Sequence, residues 1–220
     1  MMSKKDTVLD AILIQGTLPL FFYPDAEVSL EITRTLYKAG VRVFEYTNRG
    51  AAALANFKVL KQAQQTEMPD LHLGIGTIKS LDEATAFIDA GADFIVSPIV
   101  NPEVGEFTAK HELLWIPGCM TPTEIYTAQQ HGAALIKIFP ANILGPEFVS
   151  SIRDLFAGQL FIPTGGVDLN INSISGWFRA GVCAVGMGSK LISKNVLENK
   201  LYDQLYNDTV TLLEMVKAAR

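Results

Sequence analysis

The chain is poor in residues that staple, coordinate metal or anchor to a surface. Two cysteines, Cys119 and Cys183, in 220 residues are too few for a disulfide framework, so both read as reduced thiols in a reducing compartment. Three histidines are present, His72, His111 and His131. They fall at one strand start and two helix ends, a scatter that makes no metal site. Basic charge is not in excess: Lys and Arg number 18 against 23 Asp and Glu, a net charge of −5. Nucleic acid and anionic membranes need a basic surface, so neither is expected as a partner. A small anionic substrate stays open, because a local pocket can be positive on an acidic protein. No apolar run approaches the ~18 residues of a membrane span, and Met1–Asp6 offers no apolar stretch long enough for a signal peptide. The expectation is a soluble cytoplasmic protein. There is no linker or low-complexity tract, and 49% hydrophobic residues can build one large core, so residues 1–220 are expected to form a single domain.

What is present is a rhythm. Short apolar, β-branched runs occur at Leu18–Tyr23, Val41–Thr47, Leu71–Gly76, Phe94–Ser97, Leu114–Ile116, Leu135–Phe139, Leu160–Pro163 and Val182–Gly186. Between them lie amphipathic stretches such as Ala26–Ala39, Ala51–Gln64, Ser80–Ala90, Pro122–His131 and Glu147–Phe156. Four joints, Ala39-Gly40, Ala90-Gly91, His131-Gly132 and Ala180-Gly181, place glycine where a helix must stop and turn back. Strands alternating with helices run parallel, and eight such units predict an α/β fold of the (β/α)8 TIM barrel type. A doubly wound open sheet is the alternative. It usually shows a glycine-rich fingerprint after its first strand, and Tyr23-Pro24-Asp25 is not one. Asp6–Gln15 reads as an extra N-terminal helix and Asn199–Ala219 as a C-terminal helix packing outside.

Chemistry in such a barrel gathers at the C-terminal ends of the strands. In the second run Val41, Val43, Glu45 and Thr47 share one face, and Phe44 and Tyr46 the other. With the aromatics toward the helices, Glu45 points inward, as an internal salt bridge or as a working carboxylate. In the sixth run Lys137 stands mid-strand on one face with Leu135 and Phe139, where lysine is rarely buried without purpose; the plainer reading is a side chain snorkelling to solvent. The second and sixth strands of an eight-strand ring face each other, so Glu45 and Lys137 should meet. An apolar site lowers a lysine's pKa, toward roughly 7–8 in catalytic cases. The neutral amine then attacks a ketone, and the imine stabilises a carbanion beside it. Pro163-Thr164-Gly165-Gly166-Val167 and Gly186-Met187-Gly188-Ser189 end the last two runs, and glycines there, before helix starts, suit amides converging on phosphate. Arg49 and Thr77 can bind a carboxylate, or be a surface cation and a helix cap.

These residues resemble the 2-dehydro-3-deoxy-phosphogluconate (KDPG) aldolase family, which includes 4-hydroxy-2-oxoglutarate (KHG) aldolases and the phosphogalactonate version. The likeness rests on Glu45-Tyr46-Thr47-Asn48-Arg49, Gly74-Ile75-Gly76-Thr77, Ser97-Pro98, Ile116-Pro117-Gly118, Lys137-Ile138-Phe139-Pro140-Ala141, Pro163-Thr164-Gly165-Gly166 and Gly188-Ser189. It implies a homotrimeric barrel that uses no metal or cofactor. It implies Lys137 as the imine-forming lysine, Glu45 as general acid/base, and Arg49 and Thr77 on the pyruvate carboxylate. Pro98, Phe139 and Thr164 would line the pocket, and Gly165, Gly166, Gly188 and Ser189 would bind the phosphate of a 2-keto-3-deoxy sugar acid. Gly50-Ala51, Ile99 and Tyr23-Pro24 depart from the family's usual rim residues, which leaves the exact sugar acid open. The leading expectation is cleavage of 2-dehydro-3-deoxy-6-phosphogluconate to pyruvate and glyceraldehyde 3-phosphate. Its rivals are KHG or phosphogalactonate cleavage, a phosphosugar isomerase or epimerase, and a non-catalytic phosphosugar sensor on the same barrel.

Overall fold

The computed structural model describes residues 3–220; Met1 and Met2, part of the segment read for a signal peptide, lie outside them. Helices begin where a short polar side chain can accept an unpaired amide. Ser3 caps α1 (Lys4–Gln15) and Asp25 caps α2 (Ala26–Lys38). Ser80 with Glu83, and Thr121 with Glu124, form reciprocal capping boxes on α4 (Leu81–Asp89) and α6 (Pro122–Gln130). The four joint glycines, Gly40, Gly91, Gly132 and Gly181, sit at φ 107°, 93°, 75° and 104°, a backbone that side chains with a Cβ rarely adopt. The remaining helices are α3 (Ala53–Glu67), α5 (Pro102–Lys110), α7 (Ala141–Ile152), α8 (Ile171–Ala180), α9 (Lys194–Asn199) and α10 (Tyr202–Ala219).

The expected eight runs become nine parallel strands among the described residues: β1 (Thr17–Phe21), β2 (Val43–Thr47), β3 (His72–Gly76), β4 (Phe94–Val96), β5 (Leu114–Ile116), β6 (Gly118–Cys119), β7 (Leu135–Ile138), β8 (Leu160–Pro163) and β9 (Val185–Met187). Six pair in the order β5-β4-β3-β2-β1-β9, and three in the order β6-β7-β8. The fifth run forms β5 over the residues expected, and Pro117, which has no amide proton to give the ladder, separates it from an additional short strand, β6. β5 pairs with β4 and β6 with β7, so the two sides of Pro117 serve different sheets. At the other edge a single parallel bridge, Thr164 to Gly186, joins the sheets. The eighth run starts later than expected, at Val185.

Side-chain alternation divides the core in two. Val43, Phe94, Val96, Leu114, Ile116, Leu135 and Ile162 pack together with Val8 and Ile12 of α1. Both sheets thus share one inner core, with the extra N-terminal helix among its walls. Phe44 and Tyr46 face the other way, into the layer of helices. The Gln15 side chain donates to the carbonyls of Thr17 and Val43 and accepts from the amides of Arg42 and Val43, tying α1 to the strand starts. Two helices differ from expectation. The seventh begins at Ala141 rather than Glu147 and is broken at Gly145-Pro146. The expected C-terminal helix from Asn199 starts later, as α10 at Tyr202, after a left-handed turn at Lys200 that ends a separate short helix, α9.

Candidate active site

Glu45 and Lys137 are brought face to face. They lie on β2 and β7, in different sheets, and the Lys137 Nζ stands 3.9 Å from the Glu45 Oε2. Both are buried, at 1% and 5% exposure, which removes the snorkelling reading. The 3.9 Å separation is too long for a hydrogen bond, and neither Glu45 oxygen has a hydrogen-bonding partner. An internal salt bridge held for structure alone would satisfy its oxygens. Burial pushes the Glu45 carboxyl above the usual carboxylate range, against the pull of Lys137 and Arg49. Burial also pushes the Lys137 ammonium below the usual lysine range, opposed by Glu45 and reinforced by Arg49. The Phe139 ring lies 5.1 Å from the Lys137 Nζ, so the amine has an aromatic face beside it. What results is an amine poised to lose its proton beside a carboxyl poised to hold one.

Gly76 makes the room. Glu45 pairs in register with Gly74, and Thr47 with Gly76. A Cβ on Gly76 would overlap the Glu45 carboxylate, and one on Gly74 would overlap the Phe94 ring. Gly76→Ala is therefore expected to lower stability by roughly 1–3 kcal/mol, as overpacking does. It should also cost on the order of 100-fold in kcat through a displaced carboxylate. Chemical denaturation and a turnover assay check the two effects separately.

A cleft of about 510 Å³ opens at the C-terminal strand ends; Glu45 and Lys137 do not themselves line it, but Phe139, whose ring lies against the Lys137 amine, does. Seven of the sequence-predicted residues line it: Arg49, Phe139, Thr164, Gly165, Gly166, Gly188 and Ser189. Gly165 and Gly166 have φ of 95° and 78°. The helices after the glycine pairs start several residues downstream, at Ile171 and Lys194. The amides at the glycines thus belong to loops rather than helix starts, a correction to the expectation. Thr77 and Pro98 follow β3 and β4, further along the sheet, and do not line this cleft. Thr77 is half-buried at φ 65°, strained for a β-branched residue. Tyr23, expected at the rim, lines the cleft, as do Phe22, Lys190 and Lys194, which sequence reasoning missed. Tyr46 and Asn56 donate to the Tyr23 carbonyl, so a helix-facing tyrosine holds that rim loop. Lys190 pairs with Asp168 at 2.8 Å and Lys194 with Glu198 at 3.5 Å. Two lysines four apart just after the last glycine cluster were the available signal.

A larger cavity, about 630 Å³, lies at the opposite strand ends between α1 and α10, with Gln15, Arg42 and His72 on its wall. It holds no facing lysine and buried carboxylate, so size does not decide the site. Cys119, on β6, has its thiol pushed up to about 12 by burial and is no nucleophile at neutral pH. Among the described residues no three His, Cys, Asp or Glu side chains cluster as metal ligands, and no helix is long and apolar enough to cross a membrane.

Comparison with known proteins agrees with this geometry. The family described as KDPG and KHG aldolase matches residues 10–207. A 2-dehydro-3-deoxy-phosphogluconate aldolase of Treponema pallidum (strain Nichols) is 32% identical over 165 residues, covering 74% of this chain and 77% of that protein. The KHG/KDPG aldolase of Escherichia coli (strain K12) is 27% identical, covering 90% and 92%. A crystal structure of a 4-hydroxy-2-oxoglutarate/2-dehydro-3-deoxyphosphogluconate aldolase from TTHB1 superposes with a TM-score of 0.81 at 28% identity, covering 95% of this chain and 98% of that one. Sequence match and architecture point the same way: the protein belongs to the KDPG and KHG aldolase family and is a lyase.

Proposed function

We propose that the protein is a class I aldolase that cleaves 2-dehydro-3-deoxy-6-phosphogluconate to pyruvate and glyceraldehyde 3-phosphate through an imine on Lys137. The observation that carries this is the buried Lys137–Glu45 pair, 3.9 Å apart and otherwise unpartnered on the carboxylate side. The neutral Lys137 amine adds to the C2 ketone, and Glu45 supplies the proton as the carbinolamine loses water. The C4 hydroxyl gives its proton to the site's base, the C3–C4 bond breaks, and its electrons move into the imine to form an enamine. Protonation of that enamine at C3 gives the pyruvate imine, and water releases pyruvate and the free lysine.

Arg49 at the cleft takes the carboxylate of the keto acid, and Phe139 and Thr164 form the wall beside it; Thr77 and Pro98, which lie outside this cleft, are given no role. Gly165, Gly166, Gly188 and Ser189 hold the phosphate by their amides. Lys190 and Lys194, paired with Asp168 and Glu198, stand on that side of the cleft with ammonium groups that can turn to a phosphate. They favour a phosphorylated substrate over a dicarboxylate.

For the fold, the reading is a closed (β/α)8 barrel in one domain of residues 1–220. It is supported by β5 and β6, joined through Pro117 and paired into different sheets, by the Thr164–Gly186 bridge and by the shared inner core. A homotrimer working in the cytoplasm completes the reading and rests on the family resemblance.

A pyruvate-release assay on a panel of 2-keto-3-deoxy sugar acids tests the substrate. The phosphorylated gluconate acid is expected to exceed its unphosphorylated form in kcat/KM by about 100-fold or more, the effect of roughly 3 kcal/mol in charged hydrogen bonds to phosphate. Equal or better turnover of 4-hydroxy-2-oxoglutarate would move the assignment to the dicarboxylate. A preference for the C4 epimer would move it to the phosphogalactonate substrate.

A further inference from the structure

Thr47 is fully buried on the inward face of β2, two residues after Glu45. Its hydroxyl and the two Glu45 oxygens are, among the described residues, the buried side-chain polar atoms with no hydrogen-bonding partner. Five buried threonines away from the site behave differently. Thr17, Thr33, Thr35, Thr108 and Thr209 each give their hydroxyl to a backbone carbonyl. An unpaired buried hydroxyl costs stability, and such exceptions call for a reason.

The register places this hydroxyl beside the carboxylate. Thr47 pairs with Gly76 on the neighbouring parallel strand, and side chains paired in this way stand about 5 Å apart. The place a Gly76 side chain would take is filled by the Glu45 carboxylate. Hydroxyl and carboxylate are therefore neighbours at one level of the strands, yet they do not bond to each other. Two adjacent unsatisfied groups can share one small polar ligand, and a single oxygen can bond to both.

We propose that Thr47 is a positioning residue for proton transfer by Glu45. Its hydroxyl and the carboxylate together hold the oxygen, of a water or a substrate hydroxyl, whose proton Glu45 takes. The Thr47 hydroxyl donates to a lone pair of that oxygen and so aims its O–H at the carboxylate. The proton passes from that oxygen to Glu45, and Thr47 neither gains nor loses a bond to carbon. The inference rests on the aldolase reading of Lys137 and Glu45.

The test compares wild type, Thr47→Val and Thr47→Ser in steady-state cleavage and in deuterium exchange of the pyruvate methyl group. Thr47→Val keeps the volume and removes the hydroxyl. Its kcat and exchange rate are expected to fall roughly 10–100-fold, the scale of a mispositioned proton transfer, with KM nearly unchanged. Thr47→Ser should retain most of the activity. The melting temperature of Thr47→Val should equal or exceed that of wild type, since the variant loses an unpaired polar group. Wild-type turnover and exchange in Thr47→Val would overturn the inference. So would Thr47→Ser impaired as deeply as Thr47→Val, or Thr47→Val melting well below wild type. Borohydride with pyruvate separates the two levels. Trapping in both proteins with equal turnover overturns the role of Thr47 alone, whereas a wild type that traps no pyruvate overturns the aldolase reading and the inference with it.

Discussion

Lys137→Met is expected to abolish aldol cleavage, lowering kcat by about 10⁴-fold or more, as removal of a covalent nucleophile does. Methionine keeps most of the side-chain volume, so the inner core around Leu135 and Ile162 stays filled. The electrostatic consequence is separate and has a definite sign. Lys137 pulls the Glu45 pKa down against burial, so its loss raises that pKa further. A folded-state carboxyl with a raised pKa keeps a proton that the unfolded chain releases. Stability is therefore undiminished below the unfolded carboxyl pKa, ~4.3, and falls as pH rises from there toward the folded pKa. The variant should unfold more readily than wild type at alkaline pH and least so in acid. Denaturant midpoints across pH check this, and turnover at the pH of greatest stability separates lost chemistry from lost fold.

Glu45→Gln should lower kcat by roughly 10²–10⁴-fold, the usual loss when a general acid/base is removed. The pH profile sharpens the test. In the wild type the two groups titrate as a pair. When the pair takes up a second proton the amine is locked as ammonium, and activity falls toward acid. When it loses its last proton no acid remains to expel water from the carbinolamine, and activity falls toward alkali. Glu45 raises the Lys137 pKa against burial, so removing its charge lowers that pKa further. That charge is present only as the pair loses its last proton; the doubly protonated pair already holds Glu45 neutral, as glutamine is. The alkaline limb should therefore disappear in Glu45→Gln, while the acid limb stays at or slightly above its wild-type position. A variant with an unchanged profile and near-wild-type kcat would show that proton transfer runs through another group.

Much of this site was legible because strands alternate. Two inward positions, Glu45 and Lys137, carry charge where packing asks for apolar side chains, and their meeting at 3.9 Å follows from strand count and alternation. The joint glycines were legible because a positive φ leaves a residue signature. The strand β6 after Pro117 was not, because two residues, Gly118 and Cys119, are too short to show a run. The starts of α7 and α10 were missed where Gly145-Pro146 and Lys200 interrupt otherwise continuous helical patterns. Thr77 and Pro98 lie outside the cleft that Arg49 and the glycines line, since which loops converge depends on loop path rather than strand order. Lys190 and Lys194 looked like ordinary surface lysines beside a glycine pair. The unpaired Thr47 hydroxyl was invisible, because a threonine on a buried strand face usually finds a carbonyl.

The central claim is that Lys137 forms an imine with a 2-keto acid. Incubation with pyruvate and borohydride, followed by peptide mass analysis, tests it directly. The account predicts one reduced pyruvate adduct on the peptide carrying Lys137, formed in wild type and in Glu45→Gln on longer incubation, and missing from Lys137→Met. No adduct, or an adduct on Lys190 or Lys194 at the rim of the same cleft in place of Lys137, would contradict it.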